Sequence, residues 1–128
     1  MFQIDADLSS LESGVWEEYQ GSKFLIAHIS NSRFQRALAK YQLPHRRKIA
    51  EGTLDPEKNK EIVARAMADG VLLGWENVVD AKKQQVQYTS ALAYQALMRD
   101  PEFRDFVSEY AMAMTNFKSA EVDEVGKP

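Results

Sequence analysis

The chain of 128 residues contains no cysteine. That absence excludes disulfide frameworks, thiolate metal sites and cysteine nucleophiles together, and it suits a reducing compartment. Histidine is nearly absent too: His28 and His45 are isolated, with no H-x-x-x-H or H-E-x-x-H spacing, so no zinc-binding motif can be assembled. His28 is read as a strand residue with one satisfied nitrogen. The apolar runs fall far short of the ~20 residues that a membrane-spanning helix needs. The start, "MFQIDADLSSLES", lacks the basic and apolar regions of a secretory signal. Glycine is sparse at six residues. No glycine-rich phosphate loop is formed, because neither a Walker sequence nor a strand followed by a dinucleotide fingerprint is present. Bases are missing from the first eighteen residues, which carry Asp5, Asp7, Glu12, Glu17 and Glu18. Acids are missing between Tyr19 and Ala50, which hold Lys23, Arg33, Arg36, Lys40, Arg46, Arg47 and Lys48.

What is present is an ordinary globular composition, 45% hydrophobic and 27% charged, in a length that suits one domain with its own core. Residues 1–13 show no clear period and are expected to be loosely attached. "VWEEYQ", "GS" and "KFLIAHI" predict a β-hairpin over 15–29 turning on Gly-Ser. Phe24, Ile26 and His28 share one face; Leu25, Ala27 and Ile29 share the other, as in a strand covered on both sides. An exposed hairpin edge of that kind invites pairing with a second chain.

A helical body follows over 30–117. Ser30, Asn31 or Ser32 caps a helix whose apolar stripe is Phe34, Ala37, Leu38 and Tyr41. Pro44 stops it. "HRRKIAEG" makes a short helical turn closed by Gly52. Asp55-Pro56 starts the longest helix, read through "VLLGWENVVD" to residue 80 because the pattern becomes apolar nearly all round. A break near Gly70 is the competing reading. On the helical reading Gly70 and Gly74 share a face that admits a close neighbour, and Trp75 is buried core against Met67, Val71 and the last helix. "DAKKQQVQY" is a polar connection. Thr89 caps the next helix, with Leu92, Ala93, Ala96 and Leu97 inward. Asp100-Pro101 starts the last helix, whose stripe is Phe103, Phe106, Val107, Tyr110, Ala111, Met114 and Phe117. The fold class is therefore mainly α with a β element (α+β): four to five helices behind an N-terminal hairpin, in one globular domain over 14–117. The tail 118–128 is acidic and too poor in apolar residues to pack.

No catalytic constellation emerges. Glu17 and Glu18 point to opposite sides of a strand, and Glu102, Asp105 and Glu109 fall on the outer face of the last helix. No enzyme activity, cofactor or metal is expected. The basic block is the one nucleic-acid candidate, but no recognised nucleic-acid-binding signature accompanies it.

The order of "GSKFLIAHISNSRFQRAL", "HRRKIAEGTLD", "AMADGVLLGWENVVD" and "VQYTSALAYQALMRDPEFRDFVSEYA" resembles the tail assembly chaperones of long-tailed phages and prophages, over residues 14–117. The loop "AKKQQ" departs from the family, where an acidic, glycine-containing turn is expected. The resemblance implies a non-enzymatic protein of the bacterial host cytoplasm, absent from the finished virion. It would bind the tape-measure protein and recruit the tail-tube protein through a frameshift-extended form; self-association, making a homo-oligomer, is expected from the hairpin edge. Arg33, Arg36, Arg46 and Arg47 would rim a groove formed by Phe103, Phe106, Tyr110 and Met114 with the helix of Phe34, Leu38 and Tyr41, and Lys40 is a further partner-binding candidate. A duplex-binding regulator using residues 33–48, and a structural protein of the tail or head–tail junction, are the alternatives.

Overall fold

The computed structural model describes residues 1–118; the tail expected at 118–128 lies, from residue 119 onward, outside the described residues. A single helical turn, α1 (Ser10–Ser13), lies within the segment expected to be loosely attached. The chain then forms β1 (Val15–Tyr19) and β2 (Ser22–Ile26). The hairpin is present, but its turn is one residue earlier than expected. Tyr19 pairs with Ser22, so the central residues are Gln20 and Gly21, with φ of 51° and 82°. Two positive φ values are the signature of the type I′ turn, whose twist matches paired strands. This register puts Glu17 opposite Phe24 and Val15 opposite Ile26; a slip of one residue would turn Phe24 and Ile26 away from the core.

Helix α2 (Ser32–Gln42) is capped by Asn31 and buries Phe34 and Ala37. A 3-10 turn (Leu43–His45) containing Pro44 leads to α3 (Arg46–Glu51), which Gly52 closes in the left-handed conformation. Asp55 caps α4 (Pro56–Gly70), with Pro56 in its first turn. The expected continuation to residue 80 is not made: α4 ends at Gly70, and Leu72–Glu76 forms strand β3. The carbonyls explain the change. Continuing the helix would require Gly70 O, Val71 O and Leu72 O for the amides of residues 74, 75 and 76. Tyr88 Oη donates to Leu72 O, Asn31 Nδ2 donates to Gly70 O, and Ala27 N donates to Val71 O. Meanwhile β2 offers an unpaired edge, and β3 takes it, with Phe24 opposite Trp75 and Leu25 opposite Gly74. An apolar run without period fits either a buried helix or a covered strand; here the tertiary partners decide.

The sheet is antiparallel in the order β1-β2-β3. β2, whose edge was expected to invite a second chain, is thus enclosed within its own chain. Helices α5 (Ser90–Arg99) and α6 (Pro101–Met112) follow, capped by Thr89 and Asp100. Among the described residues this makes six α-helices, more than expected, with a three-stranded sheet near the N-terminus. α6 stops at Met112, short of Phe117. Ile29 N donates to Ala111 O and Asn116 Nδ2 to Tyr110 O. Phe117 folds back to lie edge-on to His28 and near Tyr110, so the expected stripe survives in space although the helix does not.

The core joins the inner sheet face (Phe24, Ile26, Leu72), α2 and α4 (Phe34, Met67), and α5 and α6 (Leu97, Val107). α2 packs on α4, α4 on α5, and α5 on α6. On the outer sheet face, the Trp16 indole reaches across β2 to the space above Gly74, at 3.8 Å from where a Cβ would stand.

Candidate partner-binding site

The sequence-predicted residues divide into two groups that the fold keeps apart. Arg33, Arg36 and Lys40 lie exposed along α2, and Arg46 and Arg47, with Lys48, lie exposed on α3. α3 buries no side chain. Neither of the two ion pairs between described residues, both on α4, touches this block. Arg33 donates to the Glu12 carbonyl, and the Glu12 carboxylate accepts from Ser32 N at 3.1 Å, an acid at the positive end of α2. The ammonium of Lys40 stands over the Tyr41 ring at 5.5 Å.

The aromatic residues of α6 are elsewhere. Phe103 is only 6% exposed, packed on Phe24 at 4.9 Å and Tyr19 at 5.7 Å between ring centroids. Phe106 is half-buried and stacks on Tyr19 at 4.4 Å. Tyr110 continues this ladder toward Phe117. The expected groove between α6 and α2 is not formed. α4 and α5 intervene in the packing order, and Phe34 and Phe103 belong to one closed core. The basic residues therefore do not rim the aromatic ones.

An open depression of ≈ 570 Å³ exists instead at the turn end of the sheet. The hairpin supplies Tyr19 and Phe24, the segment from β3 onward supplies Trp75, Val78 and Val79, and the α5–α6 corner supplies Arg99, Pro101 and Phe103. Its volume lies within the ~300–1,000 Å³ typical of ligand pockets. Trp75 is half-buried rather than core: its ring lies edge-on to Phe24 and Tyr88, and its Nε1 donates to Val86 O at 2.8 Å. It packs on the edge of the core from strand β3 rather than from the helix that the sequence predicted. The depression was not legible while Trp75 and Val78 were placed on a helix. The pair Val78-Val79 before a polar loop was the available signal.

Tyr88 fastens this wall. Its Oη donates to Leu72 O at 2.6 Å and lies 3.2 Å from Ala68 O. Burial, with the charge of Asp69 adding, raises its hydroxyl above the ordinary value of about 10. A raised folded-state value favours the folded, neutral hydroxyl, so this contribution is fully present below pH ~10 and is lost as pH rises through the folded value. Tyr88→Phe is expected to cost ~1–2 kcal/mol at neutral pH, through the lost hydrogen bond. It should also lessen the fall in stability above pH ~10. Urea denaturation at pH 7 and at a series of alkaline pH values checks both.

Among the described residues no group of His, Cys, Asp and Glu is disposed to hold a metal. His28 is buried, with Nδ1 accepting from Ser30 N at 3.0 Å, while Nε2 has no partner among the described residues. One nitrogen is satisfied, as the sequence suggested, but His28 is not a strand residue, because β2 ends at Ile26. No described helix is long and apolar enough to cross a membrane.

The likeness to known proteins places this α+β chain among prophage proteins. The model of the YdaY prophage protein family matches residues 29–127, well over half of the chain, and the chain belongs to that family. The match begins at Ile29, after the hairpin. No curated protein and no solved structure matched the chain.

Proposed function

We propose that this prophage protein is a non-enzymatic tail assembly chaperone that binds the tape-measure protein in the host cytoplasm and is absent from the finished virion. The observation that supports this most is the open depression, which presents Trp75, Phe24 and Tyr19 beside the valines Val78 and Val79. A long helical client carries apolar stripes that need shielding until assembly. A concave aromatic surface accepts such a stripe, and modest affinity suffices when several copies act along one chain. The basic block is exposed and can engage acidic residues of the same client or a tail-tube protein brought by a frameshift-extended form. Its exposure also supports a second reading, a duplex-binding regulator.

Co-expression with a phage tape-measure protein tests the proposal. Wild type is expected to raise its soluble fraction, and Val78→Asp with Val79→Asp to abolish the gain. Equal solubility with and without the chain overturns the chaperone reading. If Arg46→Glu with Arg47→Glu instead abolishes a salt-dependent affinity for duplex DNA, the regulator reading is supported. Detection of the chain in purified virions would point to the structural-protein alternative.

A further inference from the structure

Among the exposed apolar surfaces of the described residues, two differ in shape. One is the depression, concave and aromatic, in which Val79 is 45% exposed. The other is the segment "MFQID" ahead of α1, in which Phe2 is 82% and Ile4 91% exposed. A phenylalanine and an isoleucine held this far into water beside a carboxylate make a segment suited to docking rather than a scattered surface residue.

The two surfaces complement each other. Phe2 and Ile4 offer the apolar bulk that a depression lined by Phe24, Trp75 and Val79 lacks. Asp5 follows directly, and Arg99, which enters no ion pair among the described residues, stands in the lining. The other charged lining residue, Asp100, already has its carboxylate oxygen accepting from Phe103 N at 3.1 Å. Within one chain α1 and the depression lie at opposite ends of the sheet. α1 is tied to the far end of the sheet, through His28 N donating to Leu11 O and Ser10 Oγ donating to Phe117 O. The depression opens at the Tyr19–Ser22 turn.

We infer that the segment of residues 1–9 of one copy seats in the depression of a second copy, with Phe2 and Ile4 against its aromatic wall and Asp5 facing Arg99. The contact is heterologous, so each pair keeps one free segment and one free depression, and association grows with concentration. It uses the surface assigned above to the client, so self-association and client binding would compete by mass action.

Sedimentation velocity of the full chain, from low to high micromolar concentration, tests this without any client. Failure of the inference and failure of the chaperone reading are therefore separable. Wild type is expected to associate. Phe2→Ser with Ile4→Ser, and separately Val79→Asp, should each weaken association at least about tenfold, equivalent to ~1.4 kcal/mol. All three positions are exposed, so folding is expected to survive, and a thermal melt verifies it. A one-to-one mixture of the two variants should form dimers, because one retains the depression and the other the segment. A monomeric wild type, a variant that associates like wild type, or a mixture that stays monomeric each overturns the inference.

Discussion

Gly70→Ala is expected to destabilise the fold by about 3 kcal/mol, the upper end of the usual cost of overpacking a core. A Cβ on Gly70 would stand 2.6 Å from Phe34 Cα and 2.8 Å from Arg33 C. Both are backbone atoms of α2, at the point where α2 crosses α4, so no side chain can swing away to relieve the clash. The helices must separate, and Phe34, at 7% exposure, would lose its packing. Alanine's better helix propensity returns only about 1 kcal/mol. Two controls isolate the cause. Gly74→Ala meets nothing nearer than 3.8 Å, so it should be close to neutral. Gly52→Ala meets no atom within 4 Å but must hold φ near +70°, costing about 1–2 kcal/mol from backbone strain alone. Urea denaturation midpoints at constant slope check the order. Equal losses at Gly70 and Gly74 would restore the single-helix reading of "VLLGWENVVD".

Which features were legible follows from how far the determining contacts lie along the chain. Asn31, Asp55, Thr89 and Asp100 each cap the helix that the sequence assigned to them, because a cap is decided within three residues. The inward stripe of α6 was legible for the same reason: Phe103, Val107 and Ala111 repeat at helical spacing and are buried. β3 was not legible. Its existence depends on Tyr88, Asn31 and Ala27 capturing carbonyls at and just past the end of α4 and on the free edge of β2, and no local pattern in "VLLGWE" records those partners. The expected hairpin turn missed by one residue because glycine suits either the first or the second central position, and only the Tyr19–Ser22 pairing selects between them. The exposure of the basic block could be read from the polar faces of α2 and α3. The depression could not, because Tyr19, Trp75 and Phe103 come from three elements whose assembly requires β3.

Asn31→Ala is expected to cost about 3 kcal/mol, since it removes a helix cap and strands buried polar groups in one step. Asn31 is 1% exposed. Its Oδ1 accepts from Phe34 N at 2.9 Å, and its Nδ2 donates to His28 O at 2.5 Å and to Gly70 O at 2.7 Å. One side chain thus starts α2, closes the end of α4, and holds both to the segment that follows β2. Alanine leaves Phe34 N and Gly70 O without these partners, whereas His28 O keeps the Asn31 backbone amide at 3.1 Å. The cap contributes ~1 kcal/mol and a stranded buried group ~1–3 kcal/mol, which sets the total. Asn31→Asp separates the two roles. An ionised carboxylate still accepts from Phe34 N but cannot donate, and it faces two carbonyl oxygens. Asp is therefore expected to be no better than Ala at pH 7, although it is among the best capping residues elsewhere. Because Gly70 presents the carbonyl that Asn31 holds, the Asn31→Ala and Gly70→Ala losses should combine to less than their sum: either change already opens the contact on which the other acts. Full recovery of stability in Asn31→Asp would show that capping alone matters and that the donation to Gly70 contributes nothing.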